Sequence, residues 1–459
     1  MGHSPVGVPE SVTVFFATLL ALMILALAFE EKIHARKSII VSTCAVICLS
    51  AAGFFDLLPF GPVMLPDGHQ VDIPVYIPAV DWGVIAIILG SSIFVDVTAR
   101  SGLFSWIAIK LTKMSKGDPL KLLWSYGGLT VLFSAVLNNV TAMIILGSLT
   151  AVSLNKLNQS EKLLGFLLIE ALLTNIGGLT TLISSVPNII VGQAAGITFV
   201  QFFMTASPYV LVATVATILM GSRIFSITTL TGEQAIAESA ELIDTFDEND
   251  GIESEPFFWF ATTMLVLFVL AIATTSILPV LRDLGMGFVA LSFAVIMLLR
   301  YKSEVDHFYR AVDWDLLTFF IALFVVINVM EHAMVLEWIG KGIVFMIGTE
   351  ETIFGSGVLL LLSALFSSVT DNIPLAAMLA KILAAGGVAN DSALWWSVVF
   401  GANLGGNITP IGSASTLVAV TIIHKYGLNL SFAGFVRTAF PFALMQIAIS
   451  LAYLLIFLY

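Results

Sequence analysis

The chain reads as an all-α polytopic membrane protein built from two inverted repeats of five spans, each repeat with a re-entrant hairpin and an interrupted helix. Three observations lead there. Of 459 residues, 58% are hydrophobic and 11% charged, whereas an ordinary soluble domain carries about 25% charged residues. Apolar runs long enough to cross a hydrocarbon core, about 20 residues each, recur from Ser11 to the C-terminus. Three blocks of sequence also recur in the same order in both halves, at offsets of 232, 233 and 228 residues.

The blocks are specific. "AVDWGVIAIILG" from Ala79 aligns with "AVDWDLLTFFIA" from Ala311, in a register that pairs Asp96 with Asn328 and Trp106 with Trp338. "SAVLNNVTAM" at 134–143 aligns with "SSVTDNIPLA" at 367–376, and "TNIGGLTTLISS" from Thr174 with "ANLGGNITPIGS" from Ala402.

Taken in order, the first repeat (1–225) holds spans at 11–29, 38–58 and 82–100, an amphipathic segment, a hairpin at about 122–150, an interrupted span at about 162–197 and a closing span. The first ten residues lack the basic stretch and small-residue cleavage site of a secretory leader, so 11–29 is expected to remain as a span. Residues 226–255 carry nine acids and no Lys or Arg, the composition of a solvated linker with one amphipathic helix. The second repeat (256–459) holds spans at 256–280, 286–300 and 314–332, an amphipathic segment, a hairpin at about 353–386, an interrupted span at about 392–423 and a closing span.

Five crossings is an odd number, so the second half enters the membrane inverted relative to the first. With the N-terminus outside, 16 of the 19 basic residues fall on the inner side and only Arg282, Lys341 and Lys381 do not, as the positive-inside rule demands. Both termini are then outside. The expected setting is a bacterial or archaeal cytoplasmic membrane, with the lipid bilayer as the main partner.

Backbone that leaves a helix within a membrane is tolerated only where protein or a water-filled cavity supplies hydrogen-bond partners. Gly177-Gly178 and Gly405-Gly406, with Pro187 and Pro410 downstream, mark two such breaks. Asn138-Asn139 and Asp371-Asn372 mark two hairpin tips. Inverted symmetry brings each tip toward the break of its neighbouring span near the bilayer midplane, where carbonyls, Asn and Thr side chains and half-helix ends can replace the hydration shell of a small ion or polar solute.

Three carboxylates lie within apolar blocks: Asp96, Glu170 and Asp371. An Asp at a helix centre costs on the order of 3 kcal/mol on insertion scales, so it faces a cavity or titrates. Asp371, at a hairpin tip, is the leading candidate for proton coupling; it would serve equally well as a helix cap. Glu170, one and a half turns before Asn175, could relay protons or pair within the bundle. Asp96 is weaker, since its counterpart Asn328 is neutral and Arg100 is close by. Cys44 and Cys48, four residues apart, read as packing residues. No metal spacing, nucleophile constellation or phosphate loop stands out, so neither an enzyme nor a cofactor is expected beyond a coupling H+ or Na+, and nothing favours nucleic acid.

At "LNNVTAMIIL", "EALLTNIGGLTTLISSVPNIIVG", "TDNIPLAAM" and "GANLGGNITPIGSAS" the chain resembles the ion-transporter superfamily of arsenite permeases, NhaD-type sodium/proton antiporters, the melanosomal P protein and divalent anion/sodium symporters. The resemblance implies an inverted-repeat carrier, often a homodimer, working by alternating access. It carries site roles onto Asn138, Asn139, Thr141, Asn175, Asn188, Asp371, Asn372, Asn403 and Asn407, and Thr181 and Thr409 of the two breaks join them as ligand candidates. Two carboxylates common in the arsenite permease and NhaD branch are missing: Asn138 stands in the Asp position of the first tip, and "SSVPN" replaces Gly-Asp-Pro-Pro-Asn. The expected function is secondary active transport, foremost proton-coupled antiport of sodium or an arsenite-like solute. Sodium-coupled symport of citrate, a dicarboxylate or an oxyanion is the alternative, and an ion channel the third.

Overall fold

The computed structural model describes residues 8–58, 63–64, 70–71, 73–74, 76–302, 305–348, 352–370 and 372–459. Its first half runs α1 (Glu10–Ala28), α2 (Glu30–Ile33), α3 (Lys37–Phe54), a two-residue antiparallel pair β1 (Val63–Met64) and β2 (Gln70–Val71), α4 (Tyr76–Ala79), α5 (Trp82–Ala99), α6 (Leu103–Ser115), α7 (Pro119–Val136), α8 (Asn139–Lys156), α9 (Leu163–Gly178), α10 (Val186–Ala195) and α11 (Phe199–Ile224). After α12 (Glu233–Asp244) come α13 (Glu255–Thr274), α14 (Pro279–Leu298), α15 (Val305–Ala311), α16 (Trp314–His332), α17 (Val335–Ile347), α18 (Ile353–Ser367), α19 (Asn372–Ala385), α20 (Ala393–Gly405), α21 (Ala414–Lys425) and α22 (Phe432–Phe457). Among the described residues, α1, α3, α5, α11, α13, α14, α16 and α22 are long and apolar enough to span a bilayer. Two further apolar stretches are each interrupted after a Gly-Gly pair, as α9/α10 and α20/α21.

The repeated "AVDW" is a helix-start device. Asp81 Oδ1 accepts the Val84 N–H at 3.1 Å and Asp313 Oδ1 the Leu316 N–H at 2.9 Å, each capping its helix, while the next residue's indole donates backwards, Trp82 to Ile77 O and Trp314 to Tyr309 O. Such caps contribute about 1 kcal/mol apiece. The following amphipathic helices also start alike, on a left-handed residue: Gly102 (φ 81) before α6 and Met334 (φ 63) before α17. The first must be glycine because a Cβ there would lie 2.2 Å from Gly251 O. In α14 the helix is broken at Gly285 (φ 75, ψ 171), which is why the apolar span reads as starting at 286.

Packing between the halves is reciprocal. The third span of each half lies against the second span of the other, α5 on α14 and α16 on α3, and each hairpin's second arm lies against the other half's distal half-helix, α8 on α21 and α19 on α10. Close approach rests on small residues: a Cβ on Gly90 would sit 2.5 Å from the Ala290 carbonyl carbon. Cys44 and Cys48 are buried, with sulfurs 3.7 Å apart and unbonded.

The acidic segment holds one amphipathic helix, α12, in a largely exposed stretch, and a few of its residues dock on the rest of the protein. Ser239 on α12 is buried and donates to Lys116 O, Ile243 and Phe246 are buried, Lys156 stands 4.9 Å from the Phe246 ring centre, and Lys113 Nζ meets Glu248 Oε2 at 2.5 Å. Apolar burial holds the segment against α6 and the base of the first hairpin; the charges orient it. The Lys113 ammonium holds the Glu248 carboxyl below the usual glutamate range, and Glu248 raises Lys113 in return. A depressed carboxylate stabilises docking above its unfolded pKa and loses that contribution as pH falls through its folded pKa. Protection factors across 233–252, taken against the intrinsic exchange rate at each pH, are therefore expected to fall at acid pH and at high salt, which screens exposed pairs, and Glu248→Gln should remove both dependences. Salt- and pH-independent protection in the wild type would refute the assignment.

Candidate functional site

Each break is a helix that tightens and stops. Leu179 N and Thr180 N bond to Ile176 O and Gly177 O, and Asn407 N and Ile408 N bond to Leu404 O and Gly405 O, the same 3₁₀-like turn 228 residues apart. The glycines permit a hairpin to press against the turn. A Cβ on Gly177 would lie 2.7 Å from Val131 Cα, and one on Gly405 would lie 2.2 Å from Ala364 O. Serines then clasp hairpin to break: Ser134 Oγ donates to Thr174 O at 2.6 Å, and Ser367 Oγ to Ala402 O at 2.5 Å. Thr181 and Thr409 are clasps as well, donating to Ala135 O and Ser368 O, both at 2.6 Å.

Between the breaks lies a knot of buried amides. Asn175 Nδ2 donates to Asn407 Oδ1 (2.8 Å) and Ser413 Oγ (2.9 Å), and its Oδ1 accepts from Ser415 (3.0 Å) and from Asn139 Nδ2 (3.4 Å). Asn403 accepts from Ser185 Oγ (2.8 Å) and donates to Asn188 Oδ1 (2.9 Å), and Asn188 turns its own amide onto Gly178 O and Thr181 O. Asn175 pairs with Ser413 as Asn403 pairs with Ser185, and both pairs map onto each other by 228 residues. Asn407 continues to Gln446 Oε1 on α22, whose amide reaches Thr217 on α11. Asn175, Asn188, Asn403, Asn407 and Gln446 are fully buried and hydrogen-bonded, and Asn139 is half-buried at the edge, so the network specifies one arrangement of the crossing helices.

The structure thus brings together Asn139, Asn175, Asn188, Asn403 and Asn407. Asn372 is buried at the start of α19. Asn138 is not drawn in: its Oδ1 caps α8 by accepting the Thr141 N–H at 2.8 Å, and the residue is exposed. An Asn does this as well as an Asp, which accounts for the neutral residue at that tip. Asp371 lies outside the described residues. Glu170 is fully buried five residues before Asn175, with Oε1 accepting from Thr150 at 2.6 Å and Oε2 without a partner. Asp96 stands apart on α5, near Arg100 and His307. Ser185, Ser413, Ser415 and Gln446 are the members that sequence reading missed; Gln446, a lone amide in the apolar α22, was the one with a visible signal.

N-termini of three half-helices, α8, α10 and α21, abut the knot through Asn139, Ser185 and Ser413. The positive ends of these helices favour negative charge or electron-rich oxygen, with Asn138 Oδ1 and Ser413 Oγ already accepting the Thr141 and Thr416 N–H groups, while the knot itself holds no Lys or Arg. A separate cavity of about 400 Å³ lies between α10 and α19 on one side and α16 and the α4–α5 turn on the other, lined by Asp81, Gln193, Phe324, Asn328 and Lys381.

Among the described residues, eight helices long and apolar enough to span a bilayer accompany two broken helices and a polar crossing, an arrangement suited to a membrane transporter. The family described as citrate transporter matches residues 57–401. The chain belongs to that family. An uncharacterized transporter of Mycobacterium bovis is 30% identical over 381 residues, covering 82% of this chain and 86% of the relative. The human P protein is 22% identical over 99% of this chain and 61% of its own. The crystal structure of the Alcanivorax borkumensis YdaH transporter, described as having an unusual topology, shares the fold with a TM-score of 0.56 at 11% identity, over 92% of this chain and 98% of that one.

Proposed function

We propose that the protein is a secondary active transporter that moves a small cation or arsenite-like solute by proton-coupled antiport, its two halves related by inverted two-fold symmetry and exchanging access to the crossing of the broken spans. The observation that carries this reading is the neutral amide knot without Lys or Arg, with one fully buried carboxyl, Glu170, a turn and a half below it. Reciprocal contacts support the two-fold relation, because a two-fold axis requires that if i meets j′ then i′ meets j. The acidic segment would face the cytoplasm. Half-helix N-termini at the knot favour a second reading, cation-coupled symport of a citrate-like carboxylate or oxyanion, to which the family's description also points.

Proteoliposomes loaded with a pH dye and challenged separately with sodium, lithium, arsenite, citrate, sulfate and phosphate test the two. Alkalisation or acidification driven by sodium, lithium or arsenite supports antiport; a response to an anion with added sodium supports symport. Asp371→Asn is expected to abolish solute-driven proton movement while sparing solute-for-solute exchange. Wild-type proton movement in that variant would remove Asp371 from the coupling step.

A further inference from the structure

The buried carboxyl of Glu170 has a neighbour series that the knot does not use. Thr150 on α8 donates to Glu170 Oε1 at 2.6 Å. Ser153, one turn along the same helix, lies 2.8 Å from Tyr126 Oη on α7, and Tyr126 Oη lies 2.9 Å from Thr112 Oγ1 on α6. Tyr126 and Thr112 are 0% exposed, Thr150 1% and Ser153 3%. Three residues beyond Thr112, α6 ends at Ser115, on the face where the acidic segment docks. Four hydroxyls from three helices therefore form a series that begins at Thr112, buried one turn inside that face and also bonded to Ala108 O, and ends at a carboxyl whose second oxygen is buried with no partner among the described residues.

Hydroxyls are the groups that can pass a proton, since each donates one hydrogen bond and accepts others. Side chains three apart on a helix are neighbours, so the Ser153 to Thr150 step closes by hydroxyl rotation or through one bridging water. Among the described titratable groups on the helices packed against α9, Tyr126 faces Glu170. The charged side chains of those helices, Lys121, Lys156, Arg223, Lys425 and Arg437, sit in their first or last two turns, as does His424, while Tyr209 and Tyr453 bond to backbone on α22 and α11.

We infer that Glu170 exchanges its proton along Thr112, Tyr126, Ser153 and Thr150 with water at the α6 end of the molecule. In the loading step hydronium gives its proton to the Thr112 end. Each hydroxyl accepts one proton and releases another, and the last forms the O–H bond of the Glu170 carboxyl, leaving water outside and a neutral acid inside. Unloading runs the same steps in reverse. This rests on the proton-coupled reading above, so its test uses no substrate.

Infrared spectra of the purified full chain, taken on transfer from H2O to D2O, read the protonated carboxyl directly. The expected result is a carboxyl band that Glu170→Gln removes and that disappears as pH is raised. Tyr126→Phe keeps the ring and the packing but breaks the series. It should slow deuterium uptake at that band by roughly tenfold or more, positioned proton transfer being worth on the order of a hundredfold. Ser153→Ala is the second variant, should Tyr126→Phe not accumulate. No band lost in Glu170→Gln, or wild-type exchange rates in both hydroxyl variants, overturns the inference. Slowed exchange in a protein that moves no protons with any solute would leave the track standing and defeat the transport reading instead.

Discussion

Asn175→Asp is expected to reduce transport by at least about a hundredfold, with Asn403→Asp close behind. The change is isosteric, so packing survives and only donors and charge differ. Asn175 Nδ2 now gives hydrogen bonds to Asn407 Oδ1 and Ser413 Oγ. An aspartate oxygen in its place faces the Asn407 oxygen with no proton between them, and each buried acceptor stranded in this way costs about 1–3 kcal/mol. A buried charge adds several kcal/mol more or forces protonation. Solute uptake in proteoliposomes, normalised to the monodisperse protein recovered, measures the effect. Wild-type uptake in Asn175→Asp would show that the knot is a passive strut. A large effect at Asn175 beside none at Asn403 would break the two-fold relation between the halves.

Gly405→Ala is expected to lower the yield of folded protein sharply, and Gly177→Ala somewhat less. A methyl at Gly405 would sit 2.2 Å from Ala364 O and 2.8 Å from Ala364 Cα, and one at Gly177 would sit 2.7 Å from Val131 Cα. Backbone cannot step aside as a side-chain tip can. Overpacking of this kind costs about 1–3 kcal/mol or more, while the helix-propensity gain of Ala over Gly returns at most about 1 kcal/mol. Gly128 in α7 is the control, with nothing within 4 Å of its missing methyl, so Gly128→Ala should melt at or above the wild type. Equal melting of Gly405→Ala and Gly128→Ala would mean that hairpin and break are not in contact.

Much of the architecture was legible because it is written twice. "AVDW" carries its own reading, an Asp that caps and a Trp that reaches back, and both act within five residues. The breaks were legible for a local reason too: Gly-Gly followed by Ser and Pro cannot continue as helix. The knot was legible in part. Asn175, Asn188, Asn403 and Asn407 were visible as polar residues in apolar blocks, but Ser185 and Ser413 looked like ordinary turn serines, since their partners lie 218 and 238 residues away. Asn138 is a ligand candidate in the sequence and a helix cap in the structure, two roles that a tip Asn can hold and that local sequence does not separate. In the acidic segment the amphipathic helix was legible, but the docking through buried Ser239, Ile243 and Phe246 was not, because nine acids dominate its composition.

The reciprocal packing of α5 on α14 and α16 on α3 also dictates a schedule for making the protein. Helix α5 is complete at Ala99, and the surface it must bury is not synthesised until α14 begins at Pro279. At about 5–20 residues per second the ribosome leaves α5 without its mate for roughly ten to forty seconds, its face open to lipid or to the insertion machinery. The first half is therefore a waiting intermediate rather than a finished domain. Two fragments divided within the acidic segment should each insert alone, yet yield a detergent-stable particle only when made in the same cell.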